Sequence, residues 1–333
     1  MKIAILTNAF GSPGGAGRVA ELQSDILKNA GHEVRVFRPD TAWLRWPAPI
    51  RLLRHLADLF SHREMVDKIV AWHPDVLLTH NLTGCGFGTP SVVQQTKSRE
   101  QRAVKWVHVL HDVQLFEPSG RLRASEPITS WQKLWSGMRR LFFRSPDLVI
   151  SPTRWLLDQH TRRGWFEGVR TEVLANPAPE IVFAMRAPGE TLRLLFVGGT
   201  KEKGAGIVSR LASRTPYRIT TVMNAPQKEI MDAMREADVL LFPSQIMENQ
   251  PTVLLEAASV GLPVIASDVG GVRETLGDAG LVVPRDDEDA WISAIDSLRN
   301  PETYREQSTM MYELAKRHDP EAYAERFLRF IAG

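Results

Sequence analysis

Four places in this chain hold residue types whose spacing suits binding and moving a charged group. From Val239 the sequence reads VLLFPSQIMENQPTVLLE. An apolar run of buried-strand type, Val239 to Phe242, stops at Pro243-Ser244 and gives way to a loop with Glu248. Pro251 suits the first turn of a helix, where its missing N–H would be unpaired anyway, and Thr252 to Ser259 reads as that helix. The N–H groups near Thr252 and Val253 then face the loop, an arrangement that binds phosphate. Glu256 lies about a turn into the helix. A second place, Gly198 to Gly204, follows the strand Leu192 to Val197 and carries Lys201 and Lys203. A third is the Gly-rich loop Thr7 to Arg18, between a strand at Lys2 to Leu6 and a helix expected from Val19 to Ala30. The amides of Gly14 and Gly15 suit a diphosphate there. Arg18 either reaches the same ligand or is a solvated first-turn residue. The fourth is His111-Asp112, ending the strand Lys105 to Leu110. Taken alone, each has a plain alternative: two incidental glutamates on a solvated helix, or a structural histidine at a strand end.

The elements that must position these residues alternate strand and helix along the whole chain, which predicts parallel sheets. A length of 333 residues allows two domains of ordinary size. An apolar content of 43% and a charged content of 24% are those of a globular soluble protein. No apolar run reaches transmembrane length, and Met1-Lys2 leads straight into the first strand without a visible signal peptide. The single cysteine, Cys85, fits a reducing compartment. Asn81-Leu82-Thr83 matches the glycosylation pattern and reads as chance in that setting. The net charge of +2 hides an asymmetry: residues 1–185 hold 24 Lys and Arg against 17 Asp and Glu, the remainder 17 against 22. A basic first half suggests an anionic acceptor or a membrane surface more than nucleic acid, for which no motif is present. Two stretches, Trp43 to Arg63 and Trp131 to Arg144, combine apolar residues at helical spacing with arginines. Each either packs on the sheet or lies on a membrane.

The E-x7-E pattern of Glu248 and Glu256, after a strand ending in Pro-Ser and before Ala257-Ala258-Ser259-Val260-Gly261-Leu262-Pro263-Val264, resembles the retaining glycosyltransferases of family 4. Pro13-Gly14-Gly15 before a helix, then Ala30-Gly31-His32-Glu33-Val34, resembles the start of the same family, and so does Asp147 to Thr153 followed by Asn176-Pro177. The resemblance implies a GT-B fold, α/β, with two Rossmann-like domains and a cleft between them. The bounds it suggests are 1–180 for an acceptor-side domain, 190–317 for a donor-side domain, and 318–333 for a helix crossing back. It implies transfer from a nucleotide-sugar to a glycan, lipid-linked or small-molecule acceptor, with retention, no metal and no cofactor. Polysaccharide biosynthesis and a cytoplasmic protein are expected with it, and peripheral contact with the inner membrane face is the sharper alternative that the basic first half leaves open. By resemblance Glu248 and His111 face the donor sugar, Glu256 holds the ribose and Lys203 neutralises the leaving diphosphate. Gly14 and Gly15 approach the phosphates, with Thr252 and Val253 amides opposite. Asp112 either orients His111 or caps the next segment. The loop from Val113 to Pro127 shapes the acceptor site, with Phe116, Glu117, Arg121 and Arg123 as contacts.

Two departures stand out. The family pairs its lysine with an arginine after the strand, and here Gly199 follows Gly198 with no arginine; Lys201 or Arg18 would have to substitute. The interval 205–236 also lacks one strand and helix, which gives a reduced second domain and shifts base recognition toward Met223, Asn224 and Gln227. Three rivals follow. Gly15-Ala16-Gly17-Arg18-Val19-Ala20 fits the G-x-G-x-x-A fingerprint of a nicotinamide dehydrogenase, although Thr7 to Gly14 separates it from the strand. A sugar-nucleotide epimerase and a non-catalytic GT-B binding protein are the others.

Overall fold

Short apolar runs form the central strands, because a parallel sheet covered on both faces buries every side chain of a central strand. The computed structural model describes residues 1–11, 14–40, 47–99, 103–117, 119–122, 129–182 and 186–333. Contacts divide the chain into two units. One holds Met1–Arg121, residues 129–174 and Ala324–Gly333; the other holds Leu122 and Ala175–Tyr323.

The first unit runs β1 (Lys2–Leu6), α1 (Gly15–Asn29), β2 (Glu33–Phe37), α2 (Ala48–Ala57), α3 (Arg63–Trp72), β3 (Val76–Thr79), α4 (Thr89–Arg99), β4 (Lys105–Val109), α5 (Ser130–Phe143), β5 (Leu148–Ser151), α6 (Arg154–Thr161) and β6 (Arg170–Val173). Its sheet has the order β2-β1-β3-β4-β5-β6, all parallel. The second unit continues with β7 (Arg193–Val197), α7 (Ala205–Arg214), β8 (Arg218–Val222), α8 (Gln227–Glu236), β9 (Val239–Phe242), α9 (Thr252–Ser259), β10 (Val264–Ser267), α10 (Val272–Leu276), β11 (Leu281–Val283), α11 (Glu288–Ser297) and α12 (Pro301–Arg317). Its sheet has the order β11-β10-β9-β7-β8, again parallel. The last helix, α13 (Pro320–Ala332), belongs to the second unit up to Tyr323 and to the first from Ala324. In the first unit, Lys105 Nζ donates to the carbonyls of Phe330 (2.8 Å) and Ile331 (3.2 Å). A cation is favourable at a helix C-terminus, where carbonyls lack partners.

Strand β9 shows how the second core is built. Leu240 and Phe242 pack in one layer with Leu254, Leu255, Met311 and Leu314. Val239 and Leu241 pack in the opposite layer with Ile207, Leu211, Trp291 and Ile295. The alternation follows from the two-residue period of a strand.

Both sheets share one topological feature. The first strand of each unit, β1 or β7, is flanked by the second strand on one side and the third on the other. Ligands of open α/β sheets bind at the carboxyl ends of strands at such a reversal. The loops after β1 and β3, and those after β7 and β9, are therefore where chemistry belongs.

Three expectations change here. Helix α1 begins at Gly15 rather than Val19. Gly15 and Gly17 thus lie inside the helix instead of forming the tight turn of a dinucleotide fingerprint. Asn81 to Pro90 reads in sequence as a Gly-rich loop after the strand Val76 to His80, but its last two residues open α4 (Thr89–Arg99). Pro177 to Gly189, Pro- and Ala-containing and without a clear period, reads in sequence as an interdomain linker; where it is described it is hydrogen-bonded onto the second unit, Ala178 N donating to His318 O and Val182 N to Ser259 O. Of the stretch read from Trp43 to Arg63, residues 43–46 lie outside the described residues; α2 covers 48–57.

Candidate functional site

In the second unit, β7 ends in Gly198, whose φ of +150° a side chain would rarely adopt. The loop then closes on itself through Gly204 N to Lys201 O and Ala205 N to Thr200 O. Gly204, at φ +94°, has room for no side chain: a Cβ there would lie 2.0 Å from Pro243 O at the end of β9. This close approach brings the two strand-end loops together. Lys203 Nζ meets Glu248 Oε1 at 2.6 Å, and Ser244 Oγ donates to the same oxygen at 2.7 Å. The Glu248 backbone is gripped from the far side, where Gly271 N donates to Glu248 O. A Cβ on Gly270 (φ +62°) would fall 2.0 Å from that carbonyl. The Lys203 side chain keeps 42% of its surface exposed and Glu248 keeps 13%. This ion pair is open to an incoming anion.

Helix α9 follows this loop. Pro251 occupies its N-cap, and no side chain caps the first turn with Thr252 and Val253. Glu256 sits in the second turn and is only 3% exposed. Lys201 is exposed. The position expected to carry an arginine is filled differently: a Cβ on Gly199 would strike the Met223 thioether, 2.0 Å away. Met223 is itself largely exposed at the end of β8, and Asn224 beside it has a positive φ of 50°.

In the first unit the Gly-rich loop leads into α1, with Gly14 as an N-cap that no side chain completes. Nothing lies within 4 Å of where a Gly14 Cβ would stand among the described residues. Gly15 and Arg18 fall in the first turn of α1, Arg18 half-buried. The loop is tied to its neighbour by Asn8 N to Asn81 O (3.0 Å) and Asn8 Nδ2 to Thr83 O (2.9 Å). One residue past β3, His80 Nδ1 lies 2.8 Å from Nε2 of His111, which is half-buried. Burial pushes the His111 imidazole down to about 4, so it is neutral at ordinary pH. Asp112 caps the next turn, accepting from Gln114 N (2.7 Å), and takes a second bond from Asn81 Nδ2 (3.0 Å). Burial pushes its carboxyl up to about 6 against the pull of those bonds.

The structure corrects one acceptor residue. Phe116 is 1% exposed; its ring packs edge-on against His160 and under the Arg163 guanidinium. It is a core residue with no face to offer a ligand. Arg121 is exposed, and Arg123 lies outside the described residues. Sequence reasoning missed Asp58. Its buried carboxylate accepts from Gly84 N (2.7 Å) and Gly86 N (2.8 Å), pinning the loop after β3. Buried Arg139, with its guanidinium 4.2 Å from the Phe87 ring centre, supplies the compensating charge nearby. An acidic residue inside a basic apolar stretch was the available signal.

Residues 13–179, half of the chain, match the family model described as Glycosyltransferase Family 4. The chain belongs to this family. A second model, Glycosyl transferases group 1, matches residues 166–301. Phosphatidyl-myo-inositol mannosyltransferase of Mycolicibacterium smegmatis is 27% identical over 329 residues, covering 86% of this chain and 81% of the relative. D-inositol 3-phosphate glycosyltransferase of Rhodococcus erythropolis is 33% identical, but over 134 residues, 38% of this chain and 30% of that relative. Among solved structures, sucrose-phosphate synthase from Thermosynechococcus elongatus superposes with a TM-score of 0.75 at 18% identity, covering 100% of this chain and 98% of that one. Anabaena HepE in complex with UDP and glucose follows at 0.70 and 16%, covering 100% and 99%. These two likenesses establish the GT-B fold. Family 4 membership also removes the dehydrogenase reading, whose glycines already lie in the wrong element.

Proposed function

We propose that this family 4 protein moves a sugar from a nucleoside-diphosphate sugar to a hydroxyl of a glycan, lipid-linked or small-molecule acceptor, with retention and without a metal ion. The observation that carries this reading is the Lys203–Glu248 pair, 2.6 Å apart at the β7/β9 reversal. A diphosphate arriving there competes with Glu248 for Lys203. The lysine then neutralises the leaving group, a task otherwise given to a divalent cation, and Glu248 is released to accept from sugar hydroxyls. The bond between the anomeric carbon and the diphosphate breaks as the acceptor oxygen bonds to that carbon from the same face. The acceptor's proton passes to the leaving phosphate. Preorganised cations and N–H groups aimed at a leaving group stabilise the charge that develops in such a step. The amides of Thr252 and Val253 belong to the phosphate grip of the second unit, and those of Gly14 and Gly15 offer a phosphate site in the first. Glu256 accepts from the ribose, and His111 meets the donor sugar.

Relatives support the donor class: HepE is seen with UDP and with UDP-glucose, and another relative is named a mannosyltransferase. A lipid-linked acceptor at the inner face of the membrane is supported by the first unit. Leu53 and Leu141, 67% and 72% exposed, stand on α2 and α5 with Trp131 and Leu134. Lys133, Arg140 and Arg144 are exposed beside them. Apolar side chains set among cations favour an anionic lipid surface. Among the described residues no helix is long and apolar enough to cross a membrane.

A thermal-shift panel of UDP-, GDP-, ADP-, CDP- and TDP-sugars tests the donor reading, with Lys203→Met beside the native protein. One nucleotide family should raise Tm, less so in the variant; turnover of that donor should survive EDTA, with the anomeric configuration retained by NMR. A flat panel overturns the reading. Co-sedimentation with anionic vesicles tests the membrane contact.

A further inference from the structure

His111 is backed by a second histidine that sequence motifs do not single out. His80 follows β3 and His111 follows β4. The register pairs Thr79 with His108, so His80 stands level with Val109, and His111, two residues on, shares its face. The Nδ1 of His80 and the Nε2 of His111 are 2.8 Å apart, with ring centres at 5.1 Å. The backbone of His80 is fixed by its own N–H to Leu6 O at 3.1 Å. His80 is fully buried, and its Nε2 finds no hydrogen-bond partner among the described residues.

We propose that His80 is a positioning residue that fixes which nitrogen of His111 carries the proton. Both rings are neutral, because burial pushes His111 down to about 4 and His80 well below its usual range. A neutral imidazole holds one proton, so one ring donates and the other accepts. If His111 donated from Nε2, His80 would carry its own proton on Nε2, as a buried N–H with no acceptor. If His80 donates from Nδ1, its Nε2 is left as a bare lone pair. Orphaned buried donors are the rarer of the two in proteins. The cavity beside the pair, lined among others by His80, His108, His111, Asp112 and Gln114, offers about 10 Å³, room for no more than a single water at the limit of roughly 10–15 Å³.

With Nε2 accepting from His80, the proton of His111 sits on Nδ1. On the glycosyltransferase reading above, His111 then has no basic nitrogen on its Nδ1 side with which to take a proton from the donor sugar. The inference about His80 itself rests on geometry within one unit, and only this consequence depends on the proposed reaction.

The test is the two-bond proton–nitrogen NMR correlation of histidine-15N-labelled protein near pH 7.5, without substrate, His111→Gln serving to assign the signals. We expect His111 to show a protonated Nδ1 and a bare Nε2, and His80 the same pattern. A protonated Nε2 on His111 overturns the proposal. In His80→Leu the His111 nitrogens should move toward averaged values. In His80→Asn, whose amide N–H stands in for Nδ1–H, they should return to the native pattern. A spectrum unchanged across both variants also overturns it. Should His80→Leu not fold, the native spectrum still decides. Absence of sugar transfer would sink the reaction reading and leave these signals unaffected.

Discussion

At the reversal of the first sheet, a neutral pair, fully buried His80 with half-buried His111, stands beside a carboxyl that carries two N–H bonds. At the reversal of the second, a lysine and a glutamate meet at 2.6 Å with much of the lysine in solvent. The strand order around the two places is the same, yet the chemistry is opposite. Charge that must respond to an arriving phosphate is kept mobile and wet. Groups that must present a fixed pattern of donors and acceptors are dried and locked. The difference teaches that the two halves contribute to stability and to activity in opposite proportions. An exposed ion pair is worth only about 0–1 kcal/mol to the fold, whereas a buried polar group left without its partner costs about 1–3 kcal/mol.

The largest effect is expected from Lys203→Met. Removing the cation that faces the leaving diphosphate should lower turnover about 100- to 1,000-fold, the range for losing one preorganised stabilising group. The melting temperature should fall only modestly: Glu248, 13% exposed, loses its counter-charge but keeps its bond from Ser244. Kinetics and a melting curve on the same preparation check this. A melt that collapses with activity would show that the wet pair is structural after all, and the contrast between the units would fail.

These two regions also differ in how far they could be read from sequence. Lys203 and Glu248 follow short apolar strands, and local motifs placed both in loops at strand ends. What the motif did not reveal was the grip on Glu248 by Gly270 and Gly271, because it depends on a loop beyond the next strand. The fold class was legible from alternating strands and helices, but α4 was not. Its sequence, TPSVVQQTKSR, has too few apolar residues for a periodic pattern; buried Thr89 and Ser91 hold its start through side-chain bonds to Cys85 O and Gly88 O. His80 and Asp58 stayed hidden because their partners lie 31 and 26 to 28 residues away. Phe116 was misplaced for the converse reason. Its setting in a loop suggested exposure, while packing against His160 put it in the core.

Acid should separate the units next. Burial holds His108 at about 3, His111 and His160 at about 4, and His80 well below its usual range. All four lie in the first unit. As pH falls below about 6.5, the unfolded chain takes up protons that the folded unit refuses, so stability is lost between about pH 6.5 and 4. Asp58 and Asp112 act in the opposite sense, because burial raises both and each gains its proton earlier in the folded state. With His62 also lowered by burial, the histidines outnumber the two carboxyls, so the net effect near pH 5 is a loss of stability as pH falls. The described histidine with a lowered value in the second unit is His318. Hydrogen exchange at pH 8, 6 and 5 should therefore show the first unit losing protection at a higher pH than the second. Simultaneous loss, or loss of the second unit first, would mean that the dry histidines do not set acid stability.

The smallest effect sharpens the comparison within the dry site. Asn81→Ala removes the side-chain donor to Asp112 Oδ2 and leaves the other carboxylate oxygen bonded to Gln114 N. The backbone bond from Asn8 N to Asn81 O does not depend on the side chain. At pH 8 the Asp112 carboxyl, pushed up to about 6, is ionised, and losing one N–H from a charged acceptor should cost about 1–2 kcal/mol in urea unfolding. Below pH 6 the carboxyl takes up its proton, and the missing donor matters less. The gap between variant and native protein should then narrow, even while both lose stability through the histidines. A gap that stays constant from pH 8 to 5 would mean that Asp112 holds the same charge throughout, and that burial does not govern this half of the site.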